Sequence, residues 1–298
     1  MRAGRALGAA LLTALTLTGC GVRLETPPPE VPTADAVEQA RQDAALVAAR
    51  LRDAVGAGST DADVQELLEV VGEVSAEHAE ALGGVWEPWP GAGPDATSYP
   101  EDPATPEPTA TASPQEVLDL LQEGAAAARE DALTHEGELG QLLAAVAISR
   151  TWLAVDLARA LGTEAERLPA EPLPAPEPGT VDPATSRAVD AARYAFEVVA
   201  ARSSGAQCEA AVERAEQLAR VAGAVAPEED ERDVAYDVSG ATSERALAGA
   251  AELDVVAAYV ALLGTPVADR EAVLSAATYA AGQARSWDTA LPALPGLS

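Results

Sequence analysis

The side chains best suited to bind a metal ion in this sequence are two histidines and two acidic residues. His78 and His135 are the only histidines in the 298-residue chain, and Glu123 and Glu252 lie within otherwise apolar segments. Imidazole and carboxylate groups together suit Zn²⁺ or Fe²⁺. A metal-binding site is therefore one interpretation. The other is that each histidine is a hydrogen-bonded core residue.

Each histidine continues the apolar stripe of its predicted helix, and we therefore expect both to point into the protein interior. The stripes consist of Leu67, Val71 and Val74 before His78, and of Leu121, Ala128 and Ala132 before His135. Both histidines lie near the ends of helices predicted to run parallel, so the sequence predicts that they meet at one end of a bundle. The carboxylates within reach there would be Glu77, Asp131 or Glu138.

Signatures of other chemistry are missing from the sequence. Two histidines leave little material for Ser–His–Asp or Cys–His catalysis. The glycine stretches Gly56–Ser59 and Gly91–Gly93 are not followed by Lys-Ser or Lys-Thr, which a phosphate-binding loop requires. We therefore expect no enzymatic activity and no cofactor.

The first cysteine, Cys20, follows a short apolar segment at the start of the chain. Arg2 and Arg5 precede the apolar residues 6–17, and this is the layout of a secretory signal. The tetrapeptide LTGC, which ends in Cys20, resembles the bacterial lipobox, whose cysteine is acylated and becomes the first residue of the mature chain. The resemblance implies a lipid anchor at Cys20 on the extracytoplasmic face of the cell membrane. A plain secretory signal is the alternative.

The second cysteine, Cys208, is the only remaining thiol once Cys20 is acylated. One thiol cannot form an internal disulfide, so the chain is not a disulfide scaffold. In the internal alignment given below, Cys208 matches Leu68 on an apolar stripe. We therefore expect a buried structural cysteine.

Composition indicates a helical protein with a strongly acidic surface. Hydrophobic residues make up 48% and aromatic residues 3%, so the core must consist largely of Ala, Leu and Val, which suits close-packed helices. The formal net charge is −29. A field of this sign excludes binding to nucleic acid or to an anionic lipid surface through charge.

The sequence contains two copies of one unit. Ala36–Arg50 and Ala188–Arg202 both begin with Ala-Val, contain Ala-Arg at the same place and end in Val-Ala-Ala-Arg. Further matches follow in the same order, among them Glu69 with Glu209 and Glu123 with Glu252. An ordered series of matches indicates an internal repeat.

Each copy is predicted to contain four amphipathic helices. In the first helix the 3/4 spacing of a buried face is kept by Val37, Ala40, Ala44, Val47 and Leu51. We predict helices near residues 34–57, 62–85, 115–137, 139–162, 184–203, 205–225, 242–263 and 267–287. Short loops within each pair of helices predict antiparallel hairpins.

A long crossover joins the two hairpins of each copy, over residues 86–114 and 226–241. Sixteen extended residues reach about 50 Å, which exceeds the ~31 Å length of a 21-residue helix. The crossover can therefore return along the whole bundle and give the up-down-down-up, ferritin-like arrangement. An ordinary bundle with a long acidic loop is the alternative.

The second copy resembles a ferritin-like domain family of unknown function from high-GC Gram-positive bacteria. The resemblance covers roughly residues 184–290 and is carried by the neighbourhoods of Tyr194, Phe196, Tyr236, Glu252 and Tyr259. The first copy is included only through the internal match. The resemblance implies the fold and no established activity.

A standard di-iron centre is not expected in either copy. Such centres use a Glu-x-x-His motif on each of two helices. Here Ser75 lies three residues before His78, and Ala132 lies three residues before His135. Packing against arginine or exposure to solvent explains most of the recurring acidic residues.

Together these observations predict an all-α, lipid-anchored envelope protein that acts as a non-catalytic binding or scaffolding module. Its expected partners are the membrane, through Cys20, and another envelope protein. One alternative is a protein that stores, senses or oxidises a metal ion through His78 and His135, and another is a carrier for an apolar ligand in a cavity of the small-residue core. The predicted domains are a lipoprotein signal peptide (1–19), a Pro-rich tether (20–33), a first ferritin-like bundle (34–162), a Pro-rich linker (163–183) and a second ferritin-like bundle (184–298).

Overall fold

Eight α-helices account for most of the chain in a computed structural model, which describes residues 34–55, 59–86, 112–166 and 168–297. The helices are α1 (Ala36–Ala54), α2 (Ala62–Ala81), α3 (Pro114–Thr134), α4 (Gly137–Ala160), α5 (Pro183–Arg202), α6 (Ala206–Ala222), α7 (Glu244–Leu263) and α8 (Arg270–Ser286). Within those residues no strand forms, and one isolated bridge joins Val181 to Val225. The prediction of an all-α protein with eight helices is confirmed.

Short polar side chains define where the helices begin. Ser113 forms a capping box with Glu116 at the start of α3, and Pro114 occupies the first turn. Five other helices begin with a simpler cap, in which one side chain accepts a hydrogen bond from a first-turn amide; these caps are supplied by Asp35, Asp61, Asp182, Ser243 and Asp269. These caps satisfy amide groups of the first turn that have no partner within the helix. They place the helix ends within a few residues of the predicted ones.

The helices of the first half run in two opposite directions. Apolar residues at one end come from the C-terminal halves of α1 and α4 and the N-terminal halves of α2 and α3, namely Leu51, Leu157, Leu68 and Leu121. Residues at the opposite end come from the complementary halves, namely Ala45, Leu143, Leu82 and Ala132. Helices α1 and α4 therefore run parallel to each other and antiparallel to α2 and α3.

The second half pairs its helices in the same way. In the α5–α6 hairpin, the Ser186 hydroxyl donates to the carbonyl of Ala222, which joins the start of α5 to the end of α6. The start of α7 meets the end of α8, where Arg245 binds Asp288. Phe196, in the C-terminal part of α5, packs against Trp287 at the same end. Helix α5 is therefore antiparallel to both α6 and α7.

The two halves share one hydrophobic core within the described chain. Residues of the first half such as Leu143 and Ile148 belong to the same buried cluster as Phe196 and Leu274 of the second half. Arg270, at the start of α8, donates to the carbonyls of Ala132, His135, Leu263 and Thr265 and so joins the end of α3 to the α7–α8 turn. The described residues accordingly form one compact unit.

The most apolar helices are interior ones. Helices α4 and α7 are long and apolar enough to cross a membrane by length and composition, but 67% and 61% of their apolar windows are buried inside the protein. Core helices of soluble proteins pass the same test.

Val37 lies in the first turn of α1 and is 55% exposed, so the predicted buried face of this helix begins only at Ala40.

Candidate functional site

His78 is fully buried in the first half and is bound to the C-terminal segment. Its side chain is 0% exposed, and Nε2 lies 2.8 Å from the carbonyl oxygen of Ala293. A carbonyl oxygen only accepts, so Nε2 carries the proton and Nδ1 is an acceptor, which has no partner among the described residues. Burial, and secondarily the charge of Arg150, lowers the pKa of His78 to about 4 against the opposing effect of the Ala293 bond. His78 is therefore a neutral core residue at neutral pH.

The charge beside His78 is the guanidinium of Arg150, which links three helices. Arg150 is 1% exposed and extends from α4, where it donates to the carbonyls of Gly124 in α3 at 3.1 Å and of Ala44 in α1 at 3.0 Å. Burial lowers the pKa of Arg150 to about 10. None of its described hydrogen bonds goes to a carboxylate, and Nε has no partner among the described residues.

Glycine at position 124 permits this arrangement. A Cβ atom there would lie 2.6 Å from a methyl carbon of Val47 and 3.3 Å from Nη1 of Arg150. Helix α3 therefore approaches α1 and the guanidinium more closely than any residue with a side chain allows. The level of Arg150, Gly124 and Ala44 marks the middle of the first half.

His135 lies at the C-terminal end of α3. It follows the last residue of α3, is half-buried, and its Nδ1 lies 2.9 Å from the carbonyl oxygen of Asp131. It is separated from Gly124, and so from the level of Arg150, by about 16 Å along the helix axis. The two histidines are thus bound to different backbone carbonyls, that of Ala293 for His78 and that of Asp131 for His135, and the expectation that they meet at one end of the bundle stays a prediction.

The second half buries an ion pair at its centre. Arg214 of α6 binds Glu252 of α7 through two hydrogen bonds of 2.7 Å, from Nε to Oε1 and from Nη2 to Oε2. Glu252 is 0% exposed. Although burial is the largest single influence and lowers it, the charge and hydrogen bonds of Glu252 raise the pKa of Arg214. The guanidinium also lies 5.3 Å from the centre of the Tyr279 ring.

The residues of neither interior fit a di-iron centre. Such a centre needs four carboxylates and two histidines on the inward faces of four helices. Glu252 is bound on both oxygens by Arg214, and Glu123, its match in the first half, is exposed. Within the described chain, no group of three or more His, Cys, Asp or Glu side chains is placed to hold a metal ion. Buried guanidinium groups, which repel a metal cation, lie in both interiors.

A matched acid–arginine pair anchors the start of each half, and sequence reasoning did not single it out. In the first half Arg41 binds Glu38 and also the carbonyls of Leu82 and Gly84, where the first crossover begins. In the second half Arg193 binds Asp190 at 2.7 Å. The signal was the Ala-Arg dipeptide that both copies of the first helix share.

Asp190, the acidic residue of the pair in the second half, also holds the second crossover. Asp190 accepts a hydrogen bond of 3.0 Å from the hydroxyl of Tyr236, and the same hydroxyl accepts one from the amide of Asp233. Arg187 binds the carboxylate of Asp233. The crossover therefore has a defined path over α5.

The two cysteines differ in whether the structure describes them. Cys208 is half-buried in the first turn of α6, so the expectation of a buried core cysteine is wrong. The cause is its position near the helix start, before Ala211, where the buried face of α6 begins. Cys20 lies outside the described residues, as do the signal peptide, the tether and most of the first crossover, including Trp89.

No protein-family model, curated protein or solved structure matches the chain. The resemblance of residues 184–290 to a ferritin-like family thus stays a prediction.

Proposed function

We propose that the protein is a lipid-anchored cell-envelope protein built from two ferritin-like four-helix bundles. The lipobox-like tetrapeptide before Cys20 supports the anchor. The up-down-down-up course of α1 to α4, with a long crossover between α2 and α3, supports the ferritin-like assignment. The repeat of the acid–arginine pair in α5 supports a common origin of the two halves.

The proposed role is non-catalytic binding or scaffolding at the membrane surface. The observation that carries it is the presence of buried guanidinium groups, Arg150 and Arg214, in the two interiors where a ferritin-like protein would hold metal ligands. Hydrophobic packing and fixed charge fill both interiors. We therefore expect binding to take place at the surfaces, at the crossovers and in the pockets between helices. Another envelope protein is the proposed partner.

Replacing each of the two cysteines in turn tests the anchor. Cys20→Ala should move the protein from the membrane fraction to the soluble fraction, and Cys208→Ala should leave it with the membrane. Mass spectrometry of the membrane-bound protein should find an acylated N-terminal peptide beginning at Cys20. Equal membrane retention of both variants would contradict the lipid anchor.

Metal content separates this proposal from the metalloprotein alternative. Mass spectrometry of protein purified without chelating resin should find no stoichiometric iron, zinc or manganese. Near-stoichiometric metal that is lost in the His78→Ala/His135→Ala double variant would overturn the non-catalytic proposal. The backbone carbonyls that the two rings already bind favour the first outcome.

A further inference from the structure

A cavity of about 430 Å³ lies between α5, α7 and the second crossover. Its floor is made of small apolar side chains from the two helices, and residues 236–242 of the crossover form a partial roof that leaves the cavity open to solvent. The helix residues that line it are mostly alanines, among them Ala191, Ala195, Ala250 and Ala251, together with Leu247 and Asp254. This volume lies within the ~300–1,000 Å³ range of small-molecule pockets.

The roof of the cavity is held in place by specific contacts. Tyr236 binds Asp190 through its hydroxyl, and its ring packs against Tyr194 with 5.9 Å between the ring centres. At the far side, Asp237 accepts a hydrogen bond of 2.9 Å from the amide of Ser239, which fixes the turn. These contacts fix the partial roof beside the alanine-lined floor before any ligand binds.

The charge of the lining has one sign. Its charged residues are Asp237 and Asp254, and neither arginine nor histidine lines the cavity. Asp237 is already bound to the crossover backbone, whereas Asp254 makes no hydrogen bond or ion pair with the described residues and lies exposed at the mouth. Partial burial raises the pKa of Asp254. A cationic group placed beside Asp254 would compensate that desolvation.

We propose that this cavity binds a small molecule with an apolar body and one ammonium group, which pairs with Asp254. The apolar body occupies the alanine-lined floor, where its burial supplies most of the affinity. The net charge of −29 raises the local concentration of cations around the mouth. This inference rests on the proposed binding role and names the class of ligand that the second half takes.

Binding of three eight-carbon probes tests the proposal. The full chain carrying Cys20→Ala, which cannot be acylated, is titrated by calorimetry with octylamine, octanol and octanoate. We expect octylamine to bind at least tenfold more tightly than octanol, and octanoate to bind more weakly than either. Asp254→Asn should reduce octylamine to the affinity of octanol.

A matched pair of exposed alanines distinguishes the cavity from general attraction to an acidic protein. Ala250→Leu places a larger side chain in the lining of the cavity and should abolish octylamine binding, while Ala290→Leu, at an exposed site outside the lining, should leave it unchanged. Binding of octylamine that survives Ala250→Leu, equal binding of octanol, or no binding of any probe would overturn the proposal. The membrane-fraction test of Cys20 does not involve this cavity, so the two proposals fail separately.

Discussion

In the first half of the molecule a guanidinium is buried with backbone carbonyls as its only described hydrogen-bond partners, whereas in the second half a guanidinium is buried against a carboxylate. Arg150 donates to the carbonyls of Ala44 and Gly124, while Arg214 donates from Nε and Nη2 to the two carboxylate oxygens of Glu252. The neighbour of Arg150 is His78, held neutral by burial. The difference shows two ways for an alanine-rich bundle to hold a positive charge at its centre.

The two arginines do not occupy matching positions of the repeat. In the internal alignment Arg214 corresponds to Val74, and Glu252 corresponds to the exposed Glu123. The acid–arginine pairs Glu38–Arg41 and Asp190–Arg193 do correspond. The repeat therefore preserves the contacts that anchor the helices and crossovers, while the buried charges of each interior are its own.

Breaking the ion pair of the second half should have the largest effect. Glu252→Ala leaves the Arg214 guanidinium buried without a counter-charge, and we expect a loss of about 3–5 kcal/mol in the free energy of unfolding. The matched variant Glu123→Ala, at the exposed position, should change it by less than about 0.5 kcal/mol. Urea denaturation of both variants measures the difference, and similar losses would refute the contrast between the two positions.

Acid should destabilise the first half through His78. Its pKa of about 4 in the folded protein is below the ordinary value of 6.5, so protonation favours the unfolded chain. The stabilisation is therefore complete above pH 6.5 and is lost as the pH falls from 6.5 towards 4, by about 3 kcal/mol in total.

Unfolding free energies of the wild type and His78→Gln between pH 7 and pH 4 check this prediction. The wild type should lose about 3 kcal/mol more than the variant over this range. His135→Gln serves as the control for loss of an imidazole, because that ring is only half-buried and is bound to the carbonyl of Asp131. A His78→Gln variant with the wild-type slope would contradict the assigned protonation state.

Removing the charge of the first half should have a smaller effect than removing its counterpart. Arg150→Met gives up two hydrogen bonds to carbonyls but also relieves a buried charge, and we expect a loss of about 1–2 kcal/mol. Arg214→Met strands the carboxylate of Glu252 in the core and should be the more damaging change. Thermal or urea unfolding of the pair ranks them, and the opposite order would show that Arg150 is the more important cross-link.

Arg150→Met should also raise the pKa of His78 towards its ordinary value, because the nearby positive charge is removed. Nuclear magnetic resonance titration of the His78 ring measures this shift. An unchanged pKa would show that burial alone accounts for it.

The smallest effect is expected at the thiol of the second half. Cys208 is half-buried in the first turn of α6, so Cys208→Ala should alter the free energy of unfolding by less than about 0.5 kcal/mol. The same change at Leu68, its buried match in the first half, should cause a loss of about 2–5 kcal/mol. Urea midpoints of the two variants compare the positions, and a large loss at Cys208 would restore the expectation of a core cysteine.

Helix positions were predictable from the sequence because the spacing of apolar residues and the caps are local properties. The stripe of Leu67, Val71 and Val74 correctly predicted that His78 points inward, since every residue of the stripe lies on one helix. The stripe before His135 did not predict the burial of that residue correctly, because α3 ends at Thr134 and the backbone of His135 is extended. The sequence pattern likewise could not predict that Glu123 is exposed and Glu252 is buried, because the same helix position faces solvent in one half and Arg214 in the other.

The sequence by itself determined an all-α chain with two matched halves, because helical periodicity and repetition are written along the chain. Only the tertiary structure decided which charges are buried and what they touch. The partners of Arg150 are backbone carbonyls on two other helices, and a carbonyl has no sequence signature. Likewise His78 binds Ala293, a residue more than two hundred positions away, because the C-terminal segment folds back between the halves. Contacts of this kind depend on how helices pack, which local sequence patterns do not specify.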